Sequence, residues 1–260
     1  MGMELEDDAE ERKLAGQRAA HFYDLILHRH SKAVAETIKN FPDCVHWRYP
    51  DDLTPLICAV RQGHNEIAEM LLKAGAPVKD CTQTGWTAFI YAGRDNNPGA
   101  FDLLLKHGAS VLERATNGDT ALTQALEGKH SFAALRLIEL GADIEAKNLW
   151  SCFTPLIDAA WSGDAAVCAA LIRAGANLDA VEGQGMNALQ LARLSARPDF
   201  NTDNQKWLDT LAVLEPAYEA KAERERLALR EKLGNEMEQG TAQPVTVGHT
   251  LKLKPRVPSL

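Results

Sequence analysis

Aromatic side chains are scarce in this sequence, at 6% of 260 residues, and alanine and leucine supply much of the 45% hydrophobic content. That balance is common in helical repeat proteins. It suffices for a continuous core in one elongated domain or two compact ones. Cations are outnumbered, with 28 Lys and Arg against 36 Asp and Glu, for a formal charge of −8. Nucleic acid is therefore not an expected partner, because a phosphate backbone demands clustered Lys and Arg. A neutral or basic protein is favoured instead. The five cysteines, Cys44, Cys58, Cys81, Cys152 and Cys168, are odd in number, far apart and without a CxxC. With no signal-peptide h-region either, reduced thiols in a cytoplasmic protein are expected. No apolar run reaches the ~20 residues of a membrane-spanning helix. Gly2 lacks the Ser or Thr that completes a myristoylation signal. Glycine-rich phosphate loops, HExxH and GxSxG are all missing, so no catalytic residue and no cofactor are expected. His21, His28 and His30 come nearest to a metal cluster. Without a cysteine or carboxylate in register they read as surface histidines.

What is present is periodicity. Thr54-Pro55-Leu56 returns as Thr87-Ala88-Phe89, Thr120-Ala121-Leu122, Thr154-Pro155-Leu156 and Asn187-Ala188-Leu189, at steps of 33, 33, 34 and 33. A second marker keeps the same beat: Gly75-Ala76, Gly108-Ala109, Gly141-Ala142 and Gly175-Ala176, at 33, 33 and 34. Both series gain their extra residue between the third and fourth units, which puts it in the loop Asn148–Phe153. Threonine caps a helix N-terminus, and proline suits the first helical position. Glycine accepts the left-handed conformation that ends a helix. Apolar residues at helical spacing, such as Ile67, Ala68, Met70, Leu71 and Leu72, lie between the markers. Each unit reads as helix, tight turn, helix, extended loop. Alone, such a unit buries nothing, so neighbours must stack.

Thr54-Pro55-Leu56-Ile57-Cys58-Ala59, Gly63-His64 and Leu71-Leu72-Lys73-Ala74-Gly75-Ala76 resemble the ankyrin repeat, over about residues 20–215. The resemblance implies an all-α ankyrin-repeat solenoid of stacked helix-turn-helix units with a C-terminal helical extension. The histidine usual after Thr-Pro-Leu is replaced by Ile57, Ile90, Thr123, Ile157 and Gln190, so the family's Thr–His hydrogen bond is in question. Subtracting one period exposes a degenerate capping repeat at 17–46, with helices near Gln17–His28 and Lys32–Asn40. Repeats follow at 47–80, 81–113, 114–146, 147–180 and 181–215. The last has a longer turn, Arg197–Asn204, and closes on the stripe Trp207, Leu208, Leu211 and Leu214. Outside the stack stand an acidic N-terminal arm at 1–16, a charged helix at 216–240 and an extended or disordered tail at 241–260. Leu229, Leu233 and Met237 stripe the helix, and Val245, Val247, Leu251 and Leu253 alternate in the tail.

In ankyrin proteins the residue before the threonine projects from a finger loop toward a concave groove. Here those residues are Leu53, Trp86, Asp119, Phe153 and Met186. Seven residues after the threonine stand Arg61, Arg94, Glu127, Trp161 and Leu194. Trp47 and Tyr49 precede the first finger, and Trp150 lies in the fourth. Tryptophan and arginine most often dominate interface energy. These residues therefore read as partner-binding, the alternative being that Trp86 and Phe153 brace adjacent fingers. The implied function is non-catalytic protein binding by a monomer or weak oligomer. Two alternatives stay open: an inhibitor or immunity protein occluding the active site of an enzyme or toxin, and a regulatory subunit of an enzyme. The charged helix and Lys252-Leu253-Lys254-Pro255 tail are similar to bacterial ankyrin proteins that accompany secreted toxins.

Overall fold

A computed structural model describes residues 2–147, 152–197 and 204–238. Helix pairs succeed one another along the chain: α1 Gly2–Leu27 with α2 Ser31–Asn40, α3 Pro55–Arg61 with α4 Asn65–Lys73, and α5 Ala88–Arg94 with α6 Gly99–Lys106. Then come α7 Ala121–Glu127 with α8 Ser131–Glu139, α9 Pro155–Ser162 with α10 Ala165–Arg173, and α11 Ala188–Ser195 with α12 Gln205–Glu238. Two short 3-10 turns, Pro42–His46 and Pro50–Asp52, lead into α3. Among the described residues there is no strand, and two isolated antiparallel bridges, Cys81 with Thr87 and Val181 with Asn187, close finger loops.

From α3 onward the first helix of each pair starts where the ladder places its cap. The side chains of Thr54, Thr87, Thr120, Thr154 and Asn187 accept from the N–H of the third helical residue, at 3.1, 3.4, 3.2, 3.5 and 3.0 Å. The missing histidine therefore leaves the cap intact, because the backbone donor comes with any residue type. Where a polar residue stands there, a reciprocal box closes: Thr120 N–H donates to Thr123 Oγ1 at 2.9 Å, and Asn187 N–H to Gln190 Oε1 at 2.9 Å. At the other end, Gly75 takes φ +92° and the Ala76 N–H reaches back to the Leu71 carbonyl at 2.9 Å. A side chain there would be strained, which explains the invariant glycine beat.

These first helices are buried almost all round. Pro55 through Val60 of α3 and Ala88 through Gly93 of α5 are all buried, pressed between neighbouring first helices and their own second helices. The second helices bury one stripe, such as Ile67, Ala68, Leu71 and Leu72. Each such large side chain contributes about 1.5–3 kcal/mol. Polar ties add register from repeat to repeat. His64 Nε2–H donates to the Leu27 carbonyl at 3.2 Å, Asn97 Nδ2 to Val60 at 2.9 Å, and His130 Nε2–H to Arg94 at 3.0 Å. Trp207 Nε1–H does the same for Trp161 at 3.1 Å. Each donor ties down a carbonyl at the last or next-to-last residue of an earlier repeat's first helix. Such a group is costly to bury unpaired.

Two boundaries differ from expectation. The acidic segment 1–16 is continuous with the first helix from Gly2. The closing helix and the charged helix 216–240 are likewise one helix, α12, with Pro216 inside it. In the closing stripe Trp207 and Leu214 are buried as expected, but Leu208 is exposed and Thr210 is buried in its place. By internal packing the first unit nevertheless ends at Ala217, and Tyr218–Leu260 is a second unit. In that unit Leu227 and Leu229 are exposed, and Lys221 pairs with Glu225 at 3.2 Å. The side chains of Leu233 and Met237, the tail 241–260, the inserted-residue loop at 148–151 and most of the turn Arg197–Asn204 lie outside the described residues.

Candidate functional site

The fingers are rigidly built. In the second, Thr82 N–H donates to the Trp86 carbonyl at 3.0 Å, and Gly85 N–H to Thr82 at 2.9 Å. The third and fifth repeat this through Ala115 with Asp119 and Glu182 with Met186. Neighbouring fingers are tied by Thr116, whose N–H and hydroxyl both donate to the Thr84 carbonyl, at 3.2 and 2.7 Å. Ion-pair struts, Arg48 to Asp80 and Arg114 to Asp143, each at 2.6 Å, join the two ends of one repeat.

Against the second finger lies a stack of aromatic rings and guanidinium groups. Trp86 meets Tyr91 at 5.0 Å between ring centroids. The Arg94 guanidinium lies 5.3 Å from the Trp86 ring and 4.6 Å from Tyr91, and Arg61 lies 5.0 Å from Tyr91. Asp95 fixes Arg94 with two bonds, 2.8 and 3.1 Å, but stands 3.9 Å from Arg61. Arg61 Nε is buried without a hydrogen-bond partner. Desolvated cation–π contacts of this kind are worth about 1–2 kcal/mol each. Tyr91 was missed by sequence reasoning, although its register betrays it. It stands four residues after its threonine, one helical turn before Arg94 on the same face.

One repeat further on, the charge changes sign. Glu127 is exposed and accepts from Gln124 at 3.0 Å. Asp158, in the register of Tyr91, has its carboxyl pushed up to about 6, chiefly by burial and then by the charge of Glu127, with Lys129 opposing. Trp161, one turn on, is 49% exposed. Its indole borders a cleft of about 390 Å³ shared with Lys129, Leu194, Lys206 and Trp207. The first helices thus carry cations on α3 and α5 and carboxylates on α7 and α9, and the cleft at Trp161 mixes indole and lysine side chains.

Nine of the anticipated residues, Trp47, Leu53, Arg61, Trp86, Arg94, Glu127, Phe153, Trp161 and Met186, keep partial or full exposure. Two of the others, Asp119 and Tyr49, are buried. Asp119 is 3% exposed, with Oδ2 accepting from Asn117, so it braces its own finger. Tyr49 is 8% exposed, its ring 5.0 Å from Tyr23. Half-buried Trp47 stands edge-on to Phe22 at 5.7 Å. Both rings pack against aromatic side chains of the degenerate first repeat. Trp150 lies outside the described residues. Among the described residues no three His, Cys, Asp or Glu side chains converge as a metal site, and no helix is long and apolar enough to cross a membrane.

Models of ankyrin repeats match residues 22–115 and 56–148, and a single ankyrin repeat matches 152–182. Among curated proteins, the zebrafish (Danio rerio) ankyrin repeat and SAM domain-containing protein 6 is 29% identical over 69% of this chain and 22% of its own length. A transient receptor potential cation channel subfamily A member 1 homolog of Caenorhabditis elegans is 30% identical over 57% of the chain and 12% of its own. The mouse (Mus musculus) B-cell lymphoma 3 protein homolog is 34% identical over 54% and 32%. The chain thus spans a third or less of each of these relatives. Of solved structures, an ankyrin repeat domain from Acinetobacter baumannii superposes with TM-score 0.63 at 24% identity, covering 75% of this chain and 96% of that one. The ankyrin repeat domain of Bcl-3, a member of the IkappaB protein family, gives 0.62 at 24%, covering 75% and 85%.

Proposed function

The chain belongs to the ankyrin-repeat family, and from that premise we propose that it is a non-catalytic module that grips a partner protein through the face formed by its fingers and first helices. Ankyrin repeats serve generally in protein–protein interaction, and the fold by itself names no partner. The observation that carries the reading is the exposed Trp161, set in one register with the Arg61–Tyr91–Arg94–Trp86 stack. Large aromatics and arginines held rigid before a partner arrives lose little entropy on binding, and such residues dominate measured interfaces. Phe132 is more exposed still, but it stands on a second helix, away from this register.

The same face accommodates inhibition of an enzyme or service as its regulatory subunit, and no observation favours either over simple scaffolding. The experiment begins with partners captured from the native host. Trp161→Ala and Trp86→Ala should each weaken binding by about 2 kcal/mol, with Trp161→Ala leaving the melting temperature almost unchanged. Normal binding by both variants would remove the face from the interface. Assaying a captured enzyme with and without the chain then separates inhibitor from activator.

A further inference from the structure

The ring that left the face, Tyr49, lines a cleft of its own. Between α1 and the first finger a cavity of about 330 Å³ has apolar walls from Ala20, Tyr23, Tyr49, Pro50 and Leu53, while exposed Asp24 and Asp51 also line it. The Tyr49 hydroxyl is buried and has no hydrogen-bond partner. Among the described residues neither Asp24 nor Asp51 has an ion-pair partner.

Backbone strain sets the carboxylate in place. Asp51 and Asp52 have φ of 64° and 56° in succession. Side-chain-bearing residues rarely take this conformation twice running, and it persists only where surroundings hold it. Arg48 does the holding. Its guanidinium donates to the Asp52 carbonyl at 3.2 Å and to the Cys81 carbonyl at 3.3 Å, while pairing with Asp80. The finger is thus braced before any ligand arrives.

Apolar aromatic walls beside two unpaired carboxylates suit one kind of side chain, an aliphatic stem ending in a cation. Guanidinium fits better than ammonium, because its plane stacks on tyrosine while its N–H groups reach carboxylates. The adjoining cleft, across the Asp51–Leu53 ridge, has Arg61 in its wall and repels a cation. We propose that the Tyr23–Tyr49 cleft is an arginine-accepting subsite for a side chain of the partner protein. It rests on the proposed face only for the source of that arginine.

The probe is N-acetyl-arginine N-methylamide, titrated into the full chain carrying ring-labelled tyrosines. The four tyrosine signals are assigned by single Tyr→Phe variants. Saturable shifts at Tyr23 and Tyr49, with Tyr218 unmoved, are expected, and the neutral citrulline analogue should fail to reproduce them. Asp24→Asn with Asp51→Asn should weaken binding about tenfold, and Arg61→Gln should not. Asparagine tolerates the left-handed conformation, so the double variant keeps its finger. An equal response to citrulline, no response to arginine, or an unaffected double variant would each overturn the subsite. None of these results depends on Trp86 or Trp161, so the face and the subsite fail separately.

Discussion

Placing one methyl group tests how closely the first helices pack. Gly93, in α5 beside Arg94, faces the backbone of α7. A Cβ added there would lie 2.3 Å from the Ala121 carbonyl oxygen and 2.9 Å from that residue's carbonyl carbon and Cα. Even weak C–H···O contacts settle near ~3.3 Å, so α5 and α7 must part by roughly 1 Å. The obstacle is backbone, which no rotamer change relieves. Overpacking of this kind costs about 3 kcal/mol at the upper end, and alanine returns about 1 kcal/mol of helix propensity. Gly93→Ala should therefore lose about 2 kcal/mol, lowering the melting temperature by ~4–8 °C for a domain of this size. Gly16→Ala supplies the opposite sign. Gly16 is exposed within α1 and a Cβ there meets nothing within 4 Å, so a gain of about 0.5–1 kcal/mol is expected. Thermal and urea unfolding followed by circular dichroism measure both variants. A Gly93→Ala protein as stable as the parent would refute the close approach of the two helices.

Three further outcomes follow from burial. Ellman's reagent should label Cys81 and Cys152 quickly in the folded chain, because both thiols are exposed. Cys44, Cys58 and Cys168 are buried, and burial pushes their thiols up to about 11, 12 and 12; a third fast thiol would contradict the packing. Asp158 binds its proton more tightly folded than unfolded, its carboxyl rising from 3.8 to about 6. Stability should fall as pH rises from about 4 to 6 and stay lower above, by on the order of 1–3 kcal/mol. Asp158→Asn should flatten that slope in urea titrations against pH, and an unchanged slope would acquit Asp158. Asn97→Ala leaves the Val60 carbonyl without its side-chain donor and breaks a reciprocal amide pair with Asn65. A loss of about 1–3 kcal/mol is expected, and an unchanged melt would show the tie to be dispensable.

Much of the fold was legible because its signals are local. A threonine cap acts within three residues and a left-handed glycine within one turn, so Thr54 and Gly75 announce helix ends without knowledge of the rest. Their 33-residue recurrence then dictates stacking, since no single unit buries its own apolar stripe. The register that relates Trp86, Arg94 and Trp161 to their threonines could be read in the same way. What each residue does there was not legible. Asp119 and Trp86 hold equivalent positions before their threonines, yet one is sealed into its finger and the other carries a guanidinium. The difference lies in which side chains each repeat folds beside that position, Asn117 for Asp119 and Tyr91 with Arg94 for Trp86.

The sequence by itself determined the period, the caps and the all-α stack, because each depends on short-range backbone chemistry repeated in register. Only the tertiary structure decided that the cations of α3 and α5 share one tyrosine, that half-buried Asp158 feels the charge of Glu127, and that α1 reaches the first finger to enclose the Tyr23–Tyr49 cleft. Those juxtapositions join residues 25 or more apart, and electrostatics and burial act through space, where the order of the chain carries no weight.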